Sequence, residues 1–301
     1  KIKYLNKAIA DSKINVRANL DSMKFNLRDN YLKINDLKLN FAGMVAMPED
    51  DIETDLSFNS EESTFKSLLS LIPAFYMNDF KDLKAEGTFN LAGTAKGTYS
   101  DADSTMPDIN LDLGVSNGII SYPSFPEQIK NIRLESDIFF DGTDMDKTTV
   151  EMKDFHFELA GNPFELDFSL RTPLSDPDFK GTIKGKIDLA ALSKAIPIDS
   201  IELAGLIDMS VSMAGQMSML EKSQYEMFKA SGNINVSDML VSMTGYPDVR
   251  IGNAGLEFTP EFAALKNTDL RIGGSSDFSL SGRLENYIPF IVKDEASANY
   301  Y

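Results

Sequence analysis

The sequence predicts a mainly β protein: a long antiparallel sheet built by repetition and curled into an open groove, with a few short amphipathic helices. Three observations carry this expectation. Apolar and polar residues alternate through much of the 301-residue chain, the period of strands with one buried face. That period gives way to spacings of three and four near 63–77 and 189–196, which mark one face of a helix. Finally, Val115–Glu135 recurs, changed but legible, at Val236–Glu257. Val115-Ser116 matches Val236-Ser237 and Phe125-Pro126 matches Tyr246-Pro247, both displaced by 121 residues. After a one-residue slip, Ile129, Asn131, Leu134 and Glu135 match Ile251, Asn253, Leu256 and Glu257. A self-match of this length means that one supersecondary unit is reused.

From the N-terminus, residues 13–42 read as a meander. Ile14, Val16 and Leu20, then Phe25 and Leu27, then Leu32 and Ile34, then Leu37, Leu39 and Phe41 alternate, punctuated at Asp21-Ser22 and at Arg28-Asp29-Asn30. A strand follows at about Ile52–Asn59. In 63–77, Phe65, Leu68, Leu69, Ile72, Phe75 and Tyr76 predict a helix. Ser63 or Thr64 can cap it, with Glu61 and Glu62 near its positive end, and Pro73 ends or kinks it. A second helix is expected at 189–196, stopped by Pro197, and a third start is cut short near Tyr287-Ile288-Pro289.

After each helix a strand pair is expected, from Leu83 and from Ile201. Each carries glycines ten residues apart, Gly87 with Gly97 and Gly205 with Gly215. Ile109, Leu111, Leu113 and Val115 alternate strictly. Their counterpart is Ala230–Val236, preceded by a short charged helix or loop at 221–229. Phe155, Phe157 and Leu159 followed by Ala160-Gly161 correspond to Leu270 and Ile272 followed by Gly273-Gly274. They also correspond to Leu37, Leu39 and Phe41 followed by Ala42-Gly43. Phe164, Leu166, Phe168 and Leu170 form another clean strand. Residues 101–107, 141–148 and 171–178 read as loops. The chain thus divides into a first unit, 1–160, incomplete at its N-terminus, and a second, trimmed unit, 161–301, in one continuous elongated body.

Composition and motifs exclude several function classes. A net charge of −17 repels nucleic acid, and no basic cluster overrides it. With one histidine and no cysteine, zinc sites and Cys–His or Ser–His–Asp hydrolysis are excluded. His156 falls on the polar phase between Phe155 and Phe157 and reads as an exposed strand residue. Asp141-Gly142-Thr143-Asp144-Met145-Asp146 lacks the spacing and closing Glu of an EF-hand and reads as a turn. Gly181–Lys186 lacks the Walker spacing. A carboxylate pair for hydrolysis is a spatial arrangement and stays open to the structure. No window is apolar over the ~18 residues a membrane span needs. The start at Lys1-Ile2-Lys3 reads as that of a piece excised from a longer protein, with any anchor outside it. No catalytic residue, metal or cofactor is expected.

An apolar sheet face of this length needs a cover, which helices, another sheet or a ligand can supply. The candidates for the wall of a dry groove are Leu111, Leu113, Val115, Ile120, Phe155, Phe157, Leu159, Phe164, Leu166 and Phe168. Each fits equally well as ordinary core beneath the helices.

Three segments carry a family resemblance: LKAEGTFNLAGTAKGTY from Leu83, MPDINLDLGVSNGIISYPSFPEQIKNI from Met106, and FHFELAGNPFELDFSLRTPLSDPDFKGTIKGKIDLAAL from Phe155. The motifs with most weight are Gly161-Asn162-Pro163-Phe164 and Thr172-Pro173-Leu174-Ser175-Asp176-Pro177, with Glu221–Tyr225 and Ala230-Ser231-Gly232-Asn233 beyond them. In these the chain, from about 50 to 290, resembles the AsmA-like proteins of Gram-negative bacteria in their Bacteroidota form, relatives of TamB. The resemblance implies a periplasmic segment of an inner-membrane-anchored, non-enzymatic envelope protein. Its body would be a β groove that binds or conducts phospholipid or other acyl-chain lipid in outer-membrane biogenesis. The alternative it implies is a structural or chaperone-like module that assists assembly of outer-membrane proteins through an open sheet edge. The family offers no catalytic residue to carry over.

Overall fold

The computed structural model describes residues 9–60, 63–69, 83–123, 126–195, 200–225, 227–274 and 276–288. The protein is mainly β, with seventeen strands among the described residues in one antiparallel sheet. Among the described residues the α-helices are three five-residue segments: α1 Phe65–Leu69, α2 Leu189–Ser193 and α3 Met217–Glu221. No described helix is long and apolar enough to cross a membrane. The chain packs as two compact units. The first comprises Lys1–Ile120, Asn131–Phe155 and Arg171–Ser175; the second comprises Ser121–Lys130, His156–Leu170 and Asp176–Tyr301.

In the first unit, β1 (Ala10–Lys13) and β2 (Val16–Asn19) both pair with β3 (Lys24–Ile34). Next come β4 (Leu37–Ala46), β5 (Ile52–Ser60) and β7 (Lys84–Tyr99), antiparallel in that order, with the short β6 (Ser63–Thr64) also against β7. Along β5 half-buried and exposed residues alternate without a break, as period-two patterning requires when one face is covered. β8 (Asp108–Ser121), β9 (Gln128–Phe140) and β10 (Thr149–Leu159) follow in sequence, with Ser121, Gln128–Lys130 and His156–Leu159 counted in the second unit. The second unit carries β11 (Asn162–Arg171), then β12 (Asp178–Asp188), β13 (Ile201–Gln216), β14 (Lys229–Met243), β15 (Val249–Phe258), β16 (Phe262–Ile272) and β17 (Ser276–Glu285). From β12 to β17 each strand pairs with the next.

One hairpin recurs three times, as β3–β4, β10–β11 and β16–β17. Each first strand holds a left-handed Asx residue, Asp29 (φ 53°), Asp154 (φ 51°) or Asn267 (φ 48°). Six residues later comes a left-handed turn residue, Asn35 (φ 53°), Ala160 (φ 50°) or Gly273 (φ 64°). At Asp29 and Asn267 the pairing register slips, between Leu27 and Asn30 and between Leu265 and Thr268. These are β-bulges, in which one extra residue resets which face the following side chains occupy. Asx side chains tolerate the left-handed region better than other non-glycine residues.

The hairpin repeat corrects two expectations. Arg28-Asp29-Asn30 is not a turn, because β3 runs through it with β4 paired on both sides. Ala42-Gly43 is not the counterpart of Ala160-Gly161, because Gly43 lies mid-strand opposite Leu27 and Leu56; that counterpart is Asn35-Asp36. Glycine is needed at 43 for close approach: a Cβ there would stand 2.1 Å from the Asp55 carbonyl oxygen.

The expected strand pairs are also different. β7 and β13 are single strands of 16 residues each. β13 pairs with β12 from Leu206 to Gln216 and with β14 from Ile201 to Ala214, and Gly205 marks a bulge rather than a turn. Glycine at regular spacing signals close backbone approach as readily as a turn.

The described part of the first helix is α1, capped by Thr64, whose Oγ1 accepts from Ser67 N at 3.3 Å; its expected continuation to 77 lies outside the described residues. In α2 the Asp188 carboxylate accepts from Ala191 N at 2.9 Å, and Ile196 and Pro197 lie outside the described residues. α3 begins earlier than the charged segment expected at 221–229. Tyr287 and Ile288, at the expected third start, are both buried. Residues 101–107, 141–148 and 172–177 are loops and turns, as expected.

Candidate functional site: an apolar sheet face

The pairing registers assemble an apolar face in each unit. In the second, Ile183, Val211, Gly232, Phe258, Ala263 and Leu284 stand in one row across β12 to β17. The adjacent row is Gly185, Met209, Ile234, Leu256, Leu265 and Gly282. A third links Gly181, Met213 and Ala230. In the first unit, Val16, Leu27, Gly43, Leu56 and Ala95 form a row, with Ala18, Phe25, Val45 and Thr54 beside it. Side chains on one face of neighbouring strands stand close enough to touch, so such rows pack as continuous apolar strips.

The sequence-derived candidates fall onto this arrangement in different ways. On β11, Phe164, Leu166 and Phe168 are half-buried. Phe164 lies against Gly185, whose Cβ would come 2.8 Å from the Phe164 Cα, and Phe168 approaches Gly181. The β11 candidates therefore extend the rows of β12 to β17. Phe157 stacks on Phe164 with ring centroids 4.8 Å apart. Leu159 is 2% exposed and packs with Ala191 and Ala195 beneath α2, so it is core. In the first unit, Leu111 and Leu113 are half-buried and Val115 is buried. Asn117 (φ 52°) then resets the phase, so that Gly118 is buried and Ile120 half-buried. Phe155 is half-buried on β10.

An apolar cavity in the second unit lies among residues that the sequence did not single out. Leu220 of α3, Phe228, Ala230, Tyr287 and Ile288 form a buried cluster against Phe179, Phe258 and Ala263. Beside it, bounded also by Met213, Leu256 and Leu284, is a cavity of about 400 Å³. That size falls in the range of small-molecule sites, roughly 300–1,000 Å³. Apart from the Tyr287 hydroxyl, its lining side chains are wholly apolar. Burial raises the pKa of that phenol.

The face is only partly covered. Met213 is 37% exposed, and on β17 Phe278, Leu280 and Leu284 are 46%, 41% and 42% exposed. A closed core would bury side chains of this size, each worth roughly 1.5–3 kcal/mol when taken from water.

The polar residues are engaged elsewhere. His156 is buried, not exposed as its place on the polar phase suggested. It stands between Glu158, at 3.6 Å from Nε2, and Glu165, at 4.0 Å from Nδ1. Glu158 is two residues along the same strand and Glu165 lies across on β11; neighbours of this kind bury a polar-face residue in mid-sheet. Asp141 accepts from Thr143 Oγ1 and from the backbone N–H groups of Thr143 and Asp144. Asp146 accepts from Leu174 N and Ser175 N, and Asp176 from Ser218 Oγ and N. These donors hold all three carboxyls below the usual aspartate range, led by the Thr143 hydroxyl, the Ser175 backbone and the Ser218 hydroxyl respectively. The carboxylates thus tie loops down. Among the described residues no group of His, Asp or Glu is arranged to hold a metal ion.

Comparison of the chain with family models, with curated proteins and with solved structures gives no match.

Proposed function

We propose that this chain binds the acyl chains of phospholipid, or of another lipid, along its apolar sheet face, as a non-enzymatic segment of a Gram-negative envelope protein. The observation that carries the reading is the row-by-row apolar face, half exposed and deepened by the apolar cavity between α3 and Tyr287-Ile288. An acyl chain needs a dry wall and no polar recognition, and its burial stabilises by about 0.8 kcal/mol per methylene. Ten methylenes therefore supply about 8 kcal/mol before the costs of ordering. Methionines at 209 and 213 give the wall an adaptable surface. The resemblance to AsmA-like proteins supports the periplasmic setting and the link to outer-membrane biogenesis.

The test is titration with a fluorescent fatty acid, which reports transfer from water to a dry site. Saturable binding is expected. Ala263→Phe, which fills the cavity with apolar bulk and introduces no charge, is expected to weaken it at least tenfold while the far-ultraviolet circular dichroism stays that of a β protein. Absence of saturable binding to the folded chain, or binding unchanged in both Ala263→Phe and Phe258→Asp, would refute the reading.

A further inference from the structure

We propose that three loops at one end of the sheet, residues 99–108, 141–148 and 171–175, form a docking surface for a basic amphipathic helix of another protein. The apolar residues that form it all belong to the first unit, and it stands or falls independently of lipid binding.

The loops join β7 to β8, β9 to β10 and β11 to β12, and they are tied to one another. Ser100 and Thr105 exchange backbone hydrogen bonds at 3.1 and 3.0 Å. Met106 N donates to the Gly142 carbonyl at 2.8 Å, and Gly142 N to the Asp108 carboxylate at 2.9 Å. These two loops approach so closely that a Cβ on Gly142 would collide with the Met106 carbonyl oxygen. Asp146 reaches into the third loop, where its carboxylate accepts from Leu174 N at 3.0 Å and from Ser175 N at 2.9 Å.

The tied loops present large apolar side chains to water. Tyr99, Met106 and Met145 are 44%, 44% and 41% exposed, and Leu174 is 66% exposed. The hydrogen bonds fix the backbone that carries them, so the loops cannot turn these side chains inward without breaking the ties. One exposed apolar residue is ordinary, but four on three bonded loops gather into a patch of the kind that marks an interaction site. Its backbone is preorganised and its thioethers are adaptable.

Charge selects the occupant. Residues 99–108 and 141–148 hold six aspartates and one lysine. Lys147 is engaged by Asp144 at 3.6 Å and Arg171 by Glu151 at 3.5 Å, while Asp101 and Asp103 stand exposed between Tyr99 and Met106. Such a surface favours a cationic apolar partner. It repels an anionic lipid surface and a second copy of a chain whose net charge is −17. The backbone groups of the loops bond to one another, so the partner finds no strand edge and must satisfy its own backbone. A helix does so, and an apolar stripe flanked by Lys or Arg matches both features of the patch.

The chain's own segments do not fit. Outside the described residues the basic stretch is 1–8, with Lys1, Lys3 and Lys7. It leads into Ile9, which bonds to Asn35 just past Ile34 of β3. The opposite end of β3, Lys24, stands in one row with Ala46, Glu53 and Thr98, next to Tyr99. Eight extended residues span at most ~28 Å, short of the ~33 Å along β3 from Ile34 to Lys24, and the patch lies strands further on. Residues 70–82 and 289–301 each carry one lysine against two acids.

The probe is a fluorescein-labelled peptide of leucine and lysine at helical spacing, titrated with the full chain by fluorescence anisotropy. Saturable binding is expected, weakened at least tenfold by the double variant Met145→Gln, Leu174→Asn and severalfold by Asp101→Asn, Asp103→Asn. These side chains are exposed, so the variants retain the circular dichroism of the parent. Ala263→Phe, at the lipid cavity, is expected to leave peptide binding unchanged, so the two readings fail separately. No saturable binding, equal affinity for the Met145→Gln, Leu174→Asn chain, or equal affinity for a peptide with glutamate in place of lysine overturns the proposal. So does flotation with phosphatidylcholine vesicles that this double variant abolishes, which makes a membrane the occupant. Sedimentation that shows self-association lost in the same variant makes it a second copy, and binding that appears only after removal of residues 289–301 makes it that segment; either result overturns the proposal.

Discussion

Asp29, Asp154 and Asn267 show how one residue type serves two local structures. Each is an Asx residue after a basic one, a pair that reads as turn chemistry. The structure uses Asp29 and Asn267 as bulges, and Asp154 shares their left-handed angle in mid-strand. The ambiguity is physical, since the left-handed conformation serves both; what decides is whether pairing resumes beyond the residue, which is a tertiary fact. His156 teaches the same lesson, because its burial comes from Glu158 and a neighbouring strand that carries Glu165. The aspartates of the loops make a pH prediction. Asp141, Asp146 and Asp176 titrate below the usual range when folded. Their contribution to stability is full above the unfolded value, about 3.9, and is lost as pH falls through the folded values. Urea midpoints are expected to be level from pH 7 to 5 and to drop below pH 4. The double variant Asp146→Asn, Asp176→Asn should show a shallower drop; an identical acid limb would remove these residues from the account. Leu159→Ala should cost about 2–5 kcal/mol, as for other buried leucines, and Leu166→Ala less, since Leu166 is only half-buried. Equal losses in urea unfolding would contradict the separation of core from open face.

At the scale of elements, the alternating strands were legible because period-two burial is written directly into the sequence, as in β5 and β11. The helix α2, Leu189–Ser193, was legible from the apolar spacing read over 189–196, and its cap is a named contact. Asp188→Ala should cost about 1 kcal/mol, the usual worth of an N-cap, measured by urea unfolding; a neutral result would mean that α2 is held by Leu189 and Ala191 alone. What the sequence hid was strand length. The segments of β7 and β13 read as strand pairs, whereas each is one strand, and β14 pairs with β13 on both sides of the bulge at Gly205. The glycine positions now separate two outcomes. Gly43→Val must displace the β5 backbone and should lower the midpoint sharply, while Gly282→Val should leave it unchanged. Equal effects in thermal unfolding would mean that the two hairpins are not equivalents.

At the scale of the whole molecule, the fold class could be read from repetition and alternation, because both survive divergence of individual residues. The candidate face could be read only in part. The β11 residues Phe164, Leu166 and Phe168 were found because they form an uninterrupted run. The cavity was not, because Leu220, Phe258, Ala263 and Ile288 come from separate elements and only the β12–β17 register brings them together. Asp141, Asp146 and Asp176 brace loops, and the partly covered apolar rows are the feature on which the proposed function rests. Native mass spectrometry of the purified chain, with lipid extraction of the same sample, tests this most directly. The account predicts phospholipid bound to the native chain and depleted in a folded Leu166→Asp, Phe168→Asp variant. A well-folded chain free of lipid, or one that keeps its lipid after those substitutions, would contradict it.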